Sequence, residues 1–372
     1  MPGIYLHIPF CVKRCGYCDF FSTTLLERRK DYVDALAKEL MMRTDYLPQP
    51  SIIQTIYFGG GTPSLLSKDQ LQYLLQTIRK HYSMAQDAEI TLEANPSDLT
   101  LSYLNDLHAL GVNRLSIGIQ SLQDPLLIKL GRRHNAATAK NCVMMAQQAG
   151  FKNISIDLMY GLPEQTLDMW QSDLQEALEM NIQHISTYCL SYEKNTQFGK
   201  MLAEGKVKET DDDLANAMYE TAIEQLHNAG FQHYEVSNFC LPDCYSRHNS
   251  AYWNNVPYLG VGAGAHSYNG QSRQWNIANV PHYIDSINTN KLPFECEVLT
   301  DNDLYNERVM LSLRTSKGLD LSQLSDEKRQ YCLTHAANDI ESGLLIQQNN
   351  HLIASLRGVE LLNRIIENLI II

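Results

Sequence analysis

The sequence predicts an α/β fold: a parallel barrel, or most of one, followed by a small helical domain. Two observations lead there. Short apolar strands alternate with amphipathic helices through the first two-thirds of the chain, and after Thr300 the order changes to helix, helix, hairpin, helix. The expected strands lie at 4–8, 55–58, 89–94, 114–120, 153–159 and 184–191, each short, rich in Ile, Leu or aromatic residues and mostly bounded by Gly, Pro or Asn. Helices are expected at 31–47, 67–82, 101–110, 138–149, 167–179 and 212–228. In the first, Tyr32, Val33, Leu36, Ala37, Leu40 and Met41 form one apolar stripe with charges opposite. The strings LHALGVNRLSI, AQQAGFKNISI and LHNAGFQHYEV each close a helix on glycine (Gly111, Gly150, Gly230), which takes the left-handed turn of a helix C-terminus without strain. Six strand–helix units in succession predict a partial (β/α)6 barrel. A doubly wound open sheet is the alternative, since the pattern does not show closure.

Residues 236–300 read as an irregular connecting region rich in Asn, Tyr, Gly and Pro, a length of loop that usually serves a function or covers something. Residues 301–372 read as a winged-helix-like domain. Helices near 302–313 and 321–340 precede strands at 344–347 and 351–354, hinged on Asn349 and Asn350, and a last helix carries Leu361, Leu362, Ile365, Ile366 and Leu369. Such domains often bind DNA, but this one has seven basic against ten acidic residues, so a structural or protein-contacting role is expected. The expected division is 1–235, 236–300 and 301–372.

Charge and cysteine usage narrow the function. A formal net charge of −12 argues against nucleic-acid partners, which need a basic face. No signal-peptide pattern opens the chain, and no run of about 18 uncharged apolar residues offers a transmembrane helix. Nine cysteines are an odd and uneven set: Cys11, Cys15 and Cys18 cluster, and six are scattered. That distribution fits a reducing cytoplasm and one metal-binding group of thiols rather than a disulfide framework.

The string CVKRCGYC follows the first strand directly, at the end of a barrel strand that normally carries chemistry. Zinc is the plain alternative, but a closed zinc site takes four protein ligands, and no fourth Cys or His follows at finger spacing. Three thiolates instead suit a [4Fe–4S] cube with one iron left open. Other polar residues fall at strand ends: GGGTP at 59–63, Glu93 in EANP, Gln120 in SIGIQS, Arg132 in LGRRH and Asp157 in IDLMYGLP. The plain reading of any one of them alone is a turn or a helix cap.

The C-x3-C-x2-C string with Tyr17 before its last cysteine resembles the signature of the radical S-adenosylmethionine (SAM) superfamily. Most of residues 5–191, with HNSAYW and the C-terminal region, is similar to its coproporphyrinogen-III-oxidase-like branch. The resemblance implies a radical-SAM barrel in which Cys11, Cys15 and Cys18 hold the cluster and Tyr5, Gly60, Glu93 and Gln120 contact SAM on its open iron. In the oxygen-independent coproporphyrinogen dehydrogenases of this branch, the matches to Tyr17, Gly61, Thr62, Arg132 and Asp157 line a second SAM site. Those dehydrogenases have a longer segment before the cluster and a further cysteine where this chain has Phe20. Both departures, and the string HNSAYW, match instead the HemW-type heme chaperones. That likeness implies heme binding at His248, Asn249, Tyr252 and Trp253, and transfer to respiratory or other acceptor hemoproteins, membrane-bound ones included. An isolated His248 would ordinarily be a loop histidine bonded to backbone; imidazole as an iron ligand beside two stacking aromatics is the sharper reading. The alternatives are a coproporphyrinogen III dehydrogenase and a radical SAM enzyme modifying tRNA or protein. The apolar side of ELLNRIIENLIII suits a packed terminal helix or transient membrane-surface contact.

Overall fold

The computed structural model describes residues 2–372, and its centre is a twelve-stranded mixed sheet. Six parallel strands lie side by side in chain order: β1 (Gly3–Ile8), β2 (Ile53–Gly60), β3 (Met84–Ala94), β4 (Arg114–Gln120), β5 (Ile154–Tyr160) and β6 (His184–Cys189). Sequential order with no reversal excludes the doubly wound sheet, which needs a switch point. The expected alternation and most helix positions hold, with 101–110, 167–179 and 212–228 matched at both ends. Thr100, Asn135 and Thr166 cap the helices that follow them, and Gly111, Gly150 and Gly230 all take positive φ where the helices end.

Alternation along these strands divides two environments. Ile4, Leu6, Ile8, Ile56, Phe58, Leu92, Leu115, Ile117, Ile154 and Ile156 face the helices and are fully buried in the main core. The other face carries Tyr5, His7, Thr55, Tyr57, Glu89, Glu93, Ser116, Ser155, Asp157 and His184, tied by bonds such as Tyr57–Glu93, Ser116–Asp157 and Ser155–His184. The barrel interior is thus polar and hydrogen-bonded, which leaves room for charged ligands at its rim.

The segment expected to be irregular is ordered. β8 (Asn238–Cys240) pairs antiparallel with β6, and β7 (Gln232–Glu235), just before this segment, pairs antiparallel with β8 at the edge of the sheet. On the other side β9 (Tyr258–Val261) pairs in parallel with β1, and β10 (His266–Tyr268), β11 (Ser272–Asn276) and β12 (Phe294–Val298) follow as an antiparallel meander. Strands of three to five residues broken by Asn, Gly and Pro show too little periodicity to be read from sequence.

The C-terminal part has its own apolar core and a three-stranded antiparallel sheet of β13 (Leu319–Asp320), β14 (Leu345–Gln348) and β15 (His351–Ala354). Asn349 and Asn350 both take positive φ in the hairpin, as its tight turn demands. In the terminal helix Leu362–Leu369, Leu362, Ile365, Ile366 and Leu369 are buried, so the apolar side that suited a membrane surface packs inward. Hydrogen bonds from Val236 N–H to the Arg314 carbonyl and from Ser316 N–H to the Tyr234 carbonyl join this part to the end of β7.

Candidate functional site: a cluster cavity and an aromatic cavity

A cavity of about 600 Å³ opens at the C-terminal ends of the parallel strands. It is lined by Cys11, Cys15, Cys18 and Tyr17 from the loop after β1, Gly60 at the end of β2 with Gly61 and Thr62 after it, and Glu93, Gln120 and Asp157 on β3, β4 and β5, with Arg132 beyond. Residues spread over 146 positions therefore meet at one rim, as parallel-strand ends dictate. Tyr5 is the exception. It lies deeper in the barrel interior, its phenol bonded to His7 Nδ1 at 3.0 Å and its ring stacked near Tyr57 and His248.

The glycines are there because backbone comes close. A Cβ on Gly61 would lie 2.7 Å from the Pro9 carbonyl carbon, and Gly61 N–H donates to the Ile8 carbonyl at 2.8 Å, so this turn is clamped onto the end of β1. Gln120 holds a positive φ of 75° where β4 shifts register against β5, an unusual conformation at a strand end and one that turns its side chain toward the cavity.

Two carboxyls and one guanidinium set the electrostatics. Glu93 accepts from Tyr57 O–H at 2.8 Å and Gly60 N–H at 3.0 Å. Burial pushes it up to about 7 despite those bonds, with the Asp157 charge adding to the rise. Asp157 is pushed up to about 6 by burial, against the pull of Arg114, Ser186, Arg132 and Ser116. Arg132 donates to the Gly118 carbonyl, and its Nη1 lies 3.5 Å from Cys15 Sγ and 3.4 Å from Tyr17 Oη. Thr62 Oγ1 lies 3.5 Å from Cys11 Sγ. Phe20 is 71% exposed on the cavity rim, so its ring turns toward solvent.

HNSAYW forms the short helix Arg247–Trp253, pinned to the barrel from beneath. Glu89 on β3 accepts from the backbone N–H groups of Arg247 (3.0 Å) and His248 (3.1 Å), and Ser246 caps the same end. His248 is 1% exposed, with Nδ1 2.7 Å from Thr55 Oγ1 and Nε2 2.8 Å from Tyr252 Oη. Burial, helped by the Arg114 charge, lowers it to about 3 and keeps it neutral. Both ring nitrogens are engaged inside the protein, so the structure does not present His248 as an iron ligand. Its helix mates Asn249, Tyr252 and Trp253 do reach open space. They line a second cavity, also about 600 Å³, against Tyr258, Tyr268 and Arg273 of the β9–β11 meander and Glu307, Met310, Leu311 and Arg314 of the C-terminal part. Tyr188, near the end of β6, lines both cavities.

The sequence pattern of the Radical SAM superfamily matches residues 5–177, and that of the HemN C-terminal domain matches residues 299–361. The chain is 37% identical over 330 residues to "Heme chaperone HemW" of Bacillus subtilis, covering 88% of this chain and 87% of that protein. It is 35% identical over 373 residues to the protein of that name from Mycobacterium tuberculosis, covering 99% and 94%. The chain belongs to the HemW family. Among solved structures, the coproporphyrinogen III oxidase HemN from Escherichia coli, described as a radical SAM enzyme, superposes with a TM-score of 0.85 at 25% identity, over 99% of this chain and 90% of that one.

Set against that membership, the cluster cavity suits the groups a radical SAM protein carries. Burial, with the neighbouring thiols adding to it, raises both Cys11 and Cys18, against the pull of Arg133 on the first and Arg14 on the second. Among the described residues no three Cys, His, Asp or Glu side chains converge tightly enough for one metal ion. A cube asks for something wider, since each thiolate takes a separate iron. Donors aimed at Cys11 and Cys15 suit thiolates rather than thiols. Glu93 and Asp157 offer acceptors for an amine or ribose hydroxyls, and Arg132 offers paired donors for a carboxylate.

Several residues in or behind the two cavities of this HemW-family chain carried no readable signal. Arg133, next to Arg132 in LGRRH, makes paired 2.9 Å bonds to Asp98 and fixes the loop. Arg114 is 1% exposed in the barrel interior with its Nε unpartnered, and it acts on Glu93, Asp157 and His248 alike. Arg314, Met310 and Arg273 reach the second cavity from segments far from any motif.

Proposed function

We propose that this chain is a heme chaperone: it binds heme and transfers it to acceptor hemoproteins, on a scaffold that also holds a [4Fe–4S] cluster and SAM. The observation that carries this reading is the HNSAYW helix, which puts Asn249, Tyr252 and Trp253 on an aromatic cavity distinct from the cluster cavity, in a chain whose curated relatives are named heme chaperones. Broad rings that flank a cleft suit a porphyrin plane. His248 acts here as a positioning residue, orienting the Tyr252 phenol from behind.

Cys11, Cys15 and Cys18 would ligate three irons, leaving the fourth for SAM. Gly60, Glu93 and Gln120 would contact that SAM, with Tyr5 supporting Gly59 from below. Tyr17, Gly61, Thr62, Arg132 and Asp157 complete the lining and would serve a second SAM or the far end of the first. Held by these three thiols, a reduced cluster would supply one electron for reductive chemistry at the SAM sulfonium. Glu93 and Asp157, held up near neutrality by burial, can each keep or yield a proton at the ligand. Acceptors include respiratory and membrane-bound hemoproteins. No helix among the described residues is long and apolar enough to cross a membrane; the proposed carrier would meet membrane-bound acceptors at the membrane surface.

Hemin titration tests the reading. A saturable visible-band complex that Trp253→Ala weakens is expected, and absence of saturable binding rejects it. Formation of protoporphyrinogen from coproporphyrinogen, under anaerobic reduction with SAM, would replace it with the dehydrogenase.

A further inference from the structure

The second cavity is walled on one side by the HNSAYW helix and the β9–β11 meander, and on the other by the helix Asp301–Ser312 with Arg314 just beyond it. Its chemistry is two-sided. Tyr188, Tyr252, Trp253, Tyr258 and Tyr268 supply flat apolar faces, with Val236, Val256, Met310 and Leu311 between them. The charged groups are Arg273, Arg314, Glu235 and Glu307. Arg273 is ion-paired with Glu307 and lies over the Tyr268 ring at 4.8 Å. Arg314 has no such partner: its guanidinium donates to the Met310 carbonyl and to Asn363 Oδ1 at 3.0 Å, neither an anion.

A second observation is independent of the shape. Glu235 Oε1, Asn238 Oδ1, Asn255 Oδ1 and Glu307 Oε2 are buried without a hydrogen-bond partner, and all four residues line this cavity. Orphaned polar atoms of this number at one place mark a site completed by something polar. The two Asn amides can turn their NH2 groups outward to donate to an acceptor. Glu235, raised to about 7 by burial, can donate as an acid.

Among the described residues no imidazole or thiol lines the cavity, and the Met310 thioether is a weak donor on its own. Burial also raises its phenols, Tyr188, Tyr252, Tyr258 and Tyr268, away from the phenolate form that binds iron. Aromatic faces, one uncompensated arginine and polar atoms waiting for a partner describe a planar ligand with carboxylate arms. They do not describe a site built around its metal.

We infer that this interdomain cavity is the tetrapyrrole seat, and that it recognises the macrocycle by ring stacking and its carboxylates by Arg314, Asn238 and Asn255, rather than by ligating iron. The inference rests on the heme-chaperone reading and deepens it. It makes the C-terminal part half of the binding site, and it suits a carrier that must let go, because no coordinate bond has to break on transfer.

The test titrates the full-length, cluster-loaded protein with hemin and separately with iron-free protoporphyrin IX. The two affinities should agree within about threefold. Arg314→Glu should weaken both about tenfold or more, the scale of one charge-assisted bond lost, and Arg314→Lys should recover part of it. Trp253→Ala on the facing wall is the companion variant. The cluster absorption, which reports the other cavity, should be unchanged in all three and shows that they fold. Hemin binding that persists unaltered in Arg314→Glu and Trp253→Ala, or protoporphyrin binding more than tenfold weaker than hemin, overturns the inference while leaving the chaperone reading intact. No saturable binding of hemin by the unaltered protein overturns the reading itself.

Discussion

Single side chains carry the sharpest expectations. Replacing Cys11, Cys15 or Cys18 with Ala should remove the brown iron–sulfur chromophore and most bound iron and sulfide; full retention of both by any of these variants would show the ligand set to be wrong. His248 gives a pH signature. Its folded value of about 3 lies below the ordinary 6.5, so the unfolded chain takes up a proton that the buried ring refuses. The stability it contributes is complete above pH 6.5 and is lost as pH falls toward 3. Between pH 7 and pH 5 the wild type should lose about 2 kcal/mol more than His248→Gln, read from unfolding midpoints. At this scale the sequence was legible where spacing is chemistry: three thiols in eight residues, and polar residues at successive strand ends. It was silent on His248, since a packed histidine and a ligand are the same letter. It was equally silent on Arg314, whose role depends on a wall 60 residues away in sequence.

Elements fail differently, through backbone. Gly61→Ala would drive a methyl into the Pro9 carbonyl, where no flexible side chain can yield. A loss of about 1–3 kcal/mol is expected in thermal unfolding, with cluster content falling as the turn opens. At the β14–β15 hairpin, Asn350→Val forces a branched side chain to φ 65° and should cost about 1–2 kcal/mol; an unchanged Tm would show that the turn can adopt another form. Periodic, glycine-ended helices were read almost to the residue. The helix Asp124–Leu130 was not, because seven residues opening on Asp-Pro look like a turn, although Pro at a first helical position is itself a start signal. The strands from β9 to β12 were missed for lack of length.

The whole molecule adds charge and connectivity. With a net charge of −12 and no basic stripe in the C-terminal part, no retarded band is expected with duplex DNA at physiological salt; a salt-sensitive complex would reassign that domain. Parallel alternation fixed the barrel from sequence, but the order of the outer strands depends on pairings no local pattern reports. β1 sits between β2 and β9, so Gly3 pairs with Thr55 on one side and Tyr258 on the other. On the ribosome, the first strand made must therefore wait for some 250 residues of synthesis before its second edge is covered. Until then Tyr5 and His7 stand on an open strand edge, the kind that recruits foreign strands. The nascent chain, rather than the finished protein, is where this fold is most exposed to aggregation, and the β9 segment is what ends that exposure.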